Sequence, residues 1–208
     1  MKSASRLILF FSLLFASVTA QATVDVRMGF GHTWGDPASL NENIPAGLQM
    51  KGLNILGFDI IGNPMGLAGF GGGLRFDNFS KIKKDAGDEY SFRSSVLTAL
   101  LNYRVINNSV YAGPIIGIGM AHSTDLKSKI GGTGTSYNAE KNRSFSLGAE
   151  GGIHIGHLAL GGEFGYIHFK SRDFKDDSGG FLVNTDTGNK KNAGFSGTYM
   201  RFLVGIRF

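Results

Sequence analysis

The sequence predicts an all-β fold, an eight-stranded antiparallel up-and-down transmembrane β-barrel, on three observations. Eight long segments alternate apolar and polar residues, the period-two spacing of a strand with one face in an apolar medium and the other in a polar one. The connectors between them run long, short, long, short, long, short, long, the order of a barrel with tight turns at one membrane face and long loops at the other. No apolar run reaches the ~18–20 residues of a membrane-crossing helix, so the crossing falls to strands.

The chain opens on a targeting pattern. Lys2 and Arg6 precede a short apolar run, LILFFSLLF at 7–15, and Ala20-Gln21-Ala22 is an A-x-A cleavage site. Residues 1–22 are therefore expected to be a signal peptide and 23–208 the barrel domain. Cysteine is absent, so an exported chain of this kind is held by pairing and packing rather than by disulfides. Gly is 32 of 208 residues and Phe 17, both high for an ordinary soluble domain. The formal net charge of +5 falls to +3 once Lys2 and Arg6 are removed, too modest to argue for nucleic acid.

The first strand, 24–34, sets Val24, Val26, Met28, Phe30, His32 and Trp34 against Asp25, Arg27, Gly29, Gly31 and Thr33. A polar connector, 35–47, leads to the second, 48–61, whose alternation is weak and whose phase stays open; Asn54 suits neither face. The turn GNPMG at 62–66 precedes the third, 67–79, with Ala68, Phe70, Leu74 and Phe76 on one face and Gly69, Gly71, Gly73, Arg75 and Asp77 on the other. The charged stretch 80–89 is expected to be a loop. In the fourth, 90–104, the preferred phase has Leu97, Ala99, Leu101 and Tyr103 outward and Val96, Thr98, Leu100 and Asn102 inward. After a short turn at Asn107-Asn108 the fifth, 110–121, carries Pro114, where a bulge is expected because proline cannot donate to a ladder. Loop 122–142 leads to the sixth, 143–155, with Phe145, Leu147, Ala149, Ile153 and Ile155 against Ser144, Ser146, Gly148, Glu150, Gly152 and His154. Beyond the turn Gly156-His157, the seventh, 158–169, sets Leu158, Leu160, Phe164 and Tyr166 against Gly161, Glu163 and Gly165. Loop 170–192 is the longest. The eighth, 193–208, sets Met200, Phe202, Val204, Ile206 and Phe208 against Tyr199, Arg201, Leu203, Gly205 and Arg207.

Alternation alone leaves open which face is outside, and a periplasmic lipocalin-like binder would have its apolar face inward. The polar faces carry isolated charges of both signs amid glycines: Asp25, Arg27, Arg75, Asp77, Glu150, Glu163, Arg201 and Arg207. A narrow lumen takes small residues and a few paired charges, so these eight are the expected lumenal network. The first strand also lacks a lipocalin-type G-x-W, having Gly31-His32-Thr33-Trp34 instead. Aromatics gather near segment ends, Trp34, Phe76, Phe79, Tyr90, Phe92, Phe169 and Phe195 toward the long loops and Phe58, Tyr103, Tyr111 and Phe208 toward the turns. Two interfacial girdles are expected from them.

With this strand order, the terminal FLVGIRF ending on Phe208, and the charged inner faces, the mature chain resembles the small OmpA/OmpX/opacity-type outer membrane barrels along essentially its whole length. The resemblance implies placement in the outer membrane of a Gram-negative bacterium. It also implies a carboxyl-terminal signal read by the barrel assembly machinery, to which Phe202, Val204, Ile206 and Phe208 match. The glycine of that signal would fall at Leu203, whereas here it is Gly205. The likeness is one of architecture and implies no particular activity.

No catalytic or metal site and no cofactor is expected. His154 and His157 sit three apart around a turn with His168 at the opposite membrane side, too few converging ligands for a metal. Ser171, His168 and Glu163 are the residue types of an acyl-transfer set, but alternation aims His168 at lipid and Glu163 at the lumen. A lipid A-modifying enzyme is thus an alternative without the geometry. The lumenal charges read as a plug, since eight strands enclose just enough room for side chains; a small pore or hydrophobic-solute channel is the other alternative. Basic clusters recur in the loops: Lys81, Lys83 and Lys84; Lys127 and Lys129; Lys141 and Arg143; Lys170, Arg172 and Lys175; Lys190 and Lys191. Of these, Lys81, Lys83, Lys84, Lys170 and Arg172 are candidate contacts for the phosphates of lipopolysaccharide. The interspersed acids Asp85, Asp88, Glu89, Asp173, Asp176 and Asp177 equally suit a solvated loop. Loops 122–142 and 170–192 are where a surface partner would bind. The expected function is non-enzymatic: contact with lipopolysaccharide, host cells or other proteins, or support of the membrane.

Overall fold

The computed structural model describes residues 22–42, 44–64 and 69–208. The expected signal peptide up to Gln21, Met65 and Gly66 of the second turn, and Leu67 and Ala68 of the third segment lie outside the described residues. Eight long strands pair antiparallel with their chain neighbours: Ala22–Gly35 (β1), Asn54–Pro64 (β2), Phe70–Asp85 (β3), Asp88–Tyr103 (β4), Val110–Ile130 (β5), Thr133–Ile155 (β6), Leu158–Lys175 (β7) and Gly197–Arg207 (β8). The ring closes because β8 pairs with both β7, Arg201 opposite Glu163, and β1, Phe202 opposite Phe30. Closure removes the sheet edges that a lone terminal strand would leave unpaired.

One parity of each strand points in and the other out. In β1 Asp25, Arg27 and Thr33 are buried while Met28, Phe30 and Trp34 are exposed; in β8 Tyr199, Arg201 and Leu203 are buried while Met200, Phe202 and Val204 are exposed. β4 takes the preferred phase, with Val96, Thr98, Leu100 and Asn102 inside. The open phase of β2 resolves with Ile55, Asp59, Ile61 and Asn63 inward and Leu56, Phe58 and Ile60 outward. Asn54 stands on the outward face at the rim, where its Oδ1 lies 3.0 Å from His32 Nδ1. The outer wall is a continuous apolar ring in which Phe164 is 59% and Ile118 58% exposed. Water would not tolerate so large an apolar surface, whereas it matches the lipid-facing band of an outer membrane barrel. Charges inside and apolar residues outside dispose of the lipocalin arrangement.

Two stretches expected to be loops are strand. Residues 80–89 form the top of the β3–β4 hairpin, which pairs as far as Asp85 and Asp88 and turns on Ala86-Gly87, both at positive φ (48° and 90°). Residues 122–142 form the top of the β5–β6 hairpin, which turns on Gly131-Gly132. β7 likewise runs on to Lys175. Above the membrane the outer face of a hairpin meets water instead of lipid, and at the tips both faces do, so apolar alternation fades while backbone pairing continues. Nearer the mouth the inner face stays covered, Leu126 being fully buried. At the opposite end the connectors stay short, 104–109 with the short strand Ile106–Asn107, and Gly156-His157.

Three further boundaries differ. β2 starts at Asn54 rather than Leu48, because residues Ala46–Leu48 form a 3-10 turn and Leu48, Met50 and Leu53 are buried over the barrel mouth. The irregularity in β5 falls at Met120, between the pairs Leu97–Ala121 and Thr98–Gly119. Pro114 needs none, since it stays opposite Ala149 and lies beyond the last β4–β5 pair, Asn102–Ile115. The final segment is interrupted: Ala193–Gly194 pairs with β7 as a separate short strand before β8 begins.

The outer aromatic girdle is largely replaced by a core. Trp34 and Phe76 are exposed, but Phe79, Tyr90, Phe92, Phe169 and Phe195 turn inward and are at most 4% exposed. At the turn end Phe58, Tyr103 and Phe208 face out whereas Tyr111 is buried. The inward aromatics pack with Leu40, Leu48, Met50 and Leu53 of connector 36–53 and with Phe174, forming an apolar cap over the hairpin end of the barrel. Ring centroids of Phe92 and Phe195 are 4.8 Å apart and those of Phe79 and Phe169 5.3 Å. Two connectors are tied across the cap: Asn184 Nδ2 donates to Glu42 Oε2 at 2.7 Å, and Lys191 Nζ donates to the Glu42 carbonyl.

Candidate functional site

Below the apolar cap the lumen is filled by charge. Arg75 is shared between Asp59, with Nε 2.9 Å from Oδ1, and Glu163, with Nη1 3.0 Å from Oε1. Arg27 reaches Glu150 at 2.6 Å and Asp59 at 3.1 Å. Arg201 lies 3.1 Å from Asp77 and 3.4 Å from Asp59. Toward the turn end Arg104 bridges Asp25 and Glu150 at 2.6 and 3.0 Å, and Arg207 donates to Asp25 at 2.9 Å. The Tyr199 hydroxyl donates to Glu163, and Asn102 Nδ2 to Glu150 at 2.8 Å. Five guanidinium groups thus meet five carboxylates, so the network is balanced in formal charge.

All eight residues expected in the lumen are brought together there, and the network adds Asp59 and Arg104. Asp59 could have been found by parity, since Leu56, Phe58 and Ile60 flanking it read as a lipid face. Arg104 sits just past the end of β4, where alternation carries no information. Between network and cap lies a small cavity of about 20 Å³, lined by Arg75, Asp77 and Arg201 on one side and Ile55, Phe79 and Ile167 on the other. That is room for about one water.

Glycine makes this filling possible. A Cβ on Gly57 would collide with Asp77 Oδ1 and the Arg201 guanidinium, and one on Gly29 with the same guanidinium. Gly57→Ala is expected to destabilise the barrel by about 1–3 kcal/mol through overpacking, read as a lower urea midpoint in lipid vesicles.

The outward surface carries a second arrangement. β6 and β7 set Lys141 opposite Arg172 and Arg143 opposite Lys170. Next below comes the pair Phe145–His168, then Leu147–Tyr166 in the apolar ring. Like charges directly opposite on neighbouring strands destabilise a sheet, and here two such pairs are stacked. Lys141 Nζ is 2.7 Å from Asp173 Oδ2; that hydrogen bond holds the lysine above its usual range and the carboxyl below its own. Arg143, Lys170 and Arg172 form no ion pair among the described residues. The four cations and Asn142 line an open groove of about 210 Å³.

The other candidate residues scatter. Lys84 pairs with Glu89 at 3.0 Å, and Lys81 and Lys83 take the opposite parity from Lys84, so the five loop residues form no single site. Ser171 is fully buried on the inner face of β7, whereas His168 is on the outer face with Nδ1 3.0 Å from Ser196 Oγ. His154 and His157 direct Nδ1 to the carbonyls of Asn108 and Arg207. No group of three or more side chains suited to a metal ion occurs among the described residues. Phe202, Val204, Ile206 and Phe208 all face outward and are exposed.

No family model matches the chain, and no curated protein matches it by sequence. Among solved structures, Ail, the attachment invasion locus protein of Yersinia pestis, in complex with the heparin analogue sucrose octasulfate, is similar at 12% identity and a TM-score of 0.55. A major outer membrane protein from Thermus thermophilus is similar at 13% identity and a TM-score of 0.55. Each likeness covers 91% of this chain and 100% of the other. At these identities the likeness is one of fold, that of the outer membrane β-barrels.

Proposed function

We propose that this outer membrane barrel is a closed, non-enzymatic surface protein of a Gram-negative bacterium. Its hairpins, cap and basic outer face make contact with lipopolysaccharide or another anionic partner. The observation that carries this reading is the double stopper. The lumen is filled by a balanced charge network and its hairpin end is covered by an apolar core, which leaves the outside of the molecule to act. The sulfated ligand of Ail suggests the chemistry, and the face of β6 and β7 offers cations to a polyanion. The barrel assembly machinery is the partner proposed for the exposed series ending on Phe208.

Planar-bilayer recording tests the closed lumen. The purified protein is expected to give no steady conductance, and reproducible open steps would restore the small-pore reading. Retention of protein-bearing vesicles on a sulfated or phosphorylated polysaccharide resin tests the contact. Salt-reversible retention is expected, and vesicles passing straight through would remove the proposed surface role.

A further inference from the structure

We propose that Lys141, Arg143, Lys170 and Arg172 form a seat for the phosphate groups of a glycolipid in the surrounding outer leaflet. The inference rests on the surface role above and narrows it to one face and one chemistry. Opposed residues of an antiparallel pair stand about 5 Å apart, and successive residues on one face of a strand about 7 Å. Four cationic heads on such a grid converge on one or two phosphates. The two arginines lie on a diagonal, each with a planar fork suited to two phosphate oxygens.

The composition of the face points to an occupant. Opposed like charges cost stability, and among the described residues the acid in contact with this face, Asp173, engages Lys141 and lies 4.0 Å from Lys190. An anion between the rows relieves the repulsion that the protein's own side chains leave standing. Height decides which anion. The lower row, Arg143 and Lys170, is the first above Phe145 and His168, and the apolar ring begins immediately beneath. A lipid whose acyl chains lie along Leu147 and Tyr166 brings its headgroup phosphates to this level. A soluble polyanion would meet the hairpin tips and the cap first. The remaining lysines named for such a role lack this placement, Lys84 being paired with Glu89.

The test uses the folded full barrel in mixed vesicles with bisphosphorylated lipid A and, separately, the dephosphorylated lipid. Retained lipid is counted after detergent extraction by native mass spectrometry. The double variant Arg143→Glu/Lys170→Glu is expected to hold roughly tenfold less bisphosphorylated lipid than the parent. Lys81→Glu/Lys83→Glu is expected to match the parent, and the parent to hold the dephosphorylated lipid only weakly. Altered mobility on boiling verifies that each variant is folded; should the reversal fail to fold, Arg143→Gln/Lys170→Gln takes its place with the same expected direction. Undiminished binding by the folded double variant, or equal binding of both lipids by the parent, overturns the seat. A parent that holds a soluble sulfated saccharide but no lipid A also overturns it, while leaving the surface role standing.

Discussion

Asp59→Ala is expected to lower folding stability by about 3–5 kcal/mol, the cost typical of removing one partner from a buried ion pair. The Asp59 carboxylate accepts from Arg75 through both Nε and Nη2, from Arg27 at 3.1 Å and from Arg201 at 3.4 Å. Alanine there leaves three guanidinium groups short of a partner and the lumen with an excess positive charge. The adjoining cavity of about 20 Å³ holds about one water, too little to solvate them. The exposed pair Lys175–Glu140, at 2.6 Å, is the internal comparison, because breaking a surface pair costs at most about 1 kcal/mol. Urea titration in lipid vesicles measures both. An Asp59→Ala loss no larger than that of Glu140→Ala would mean that water already fills the lumen, and the plug would have to be read as a wet channel lining.

Phe169→Ala is expected to cost about 3–5 kcal/mol, but in the cap rather than in the membrane-spanning wall. The Phe169 ring is fully enclosed, with centroids of Phe79 and Phe92 at 5.3 and 6.1 Å. Its removal opens a cavity between the inner wall of β7 and connector 36–53, which depends on that core because Leu40, Leu48 and Met50 are buried only there. Limited proteolysis separates the two compartments. The variant is expected to be cut within 176–192 while the trimmed barrel keeps its shift in mobility on boiling. Loss of that shift instead would show that cap and wall fold as a single unit.

Much of the barrel is legible along the chain, and the parts that are not share a cause. β1 and β8 alternate between lipid and lumen, so their parity is written in every second residue. β2 reads poorly because Gly57 and Asp59 share its inner face with Ile55 and Ile61, and an inner face half apolar looks like no face at all. Nearness to segment ends makes the aromatics at 79, 92, 169 and 195 look like an interfacial girdle. Once the strands extend above the membrane, their parity directs them into the mouth, and the loops fold over to cover them. The hairpin tops look like loops because water replaces lipid on their outer face, and at the tips on both faces, which removes the contrast on which strand reading depends.

The outward basic face shows the same limit. Lys141 and Arg143 belong to one cluster along the chain and Lys170 and Arg172 to another, and only the β6–β7 register sets them opposite each other. By itself the sequence determined the strand number, the lipid-facing series and most of the charges that turn inward. These follow from a period of two, which is local geometry imposed on each residue by its neighbours. Only the tertiary structure decided which charges meet, since Asp25 and Arg207 are 182 residues apart and Arg27 and Glu150 123. It likewise decided that the mouth is capped and that two basic clusters make one face. Register and closure join residues distant along the chain, and no local period encodes that distance.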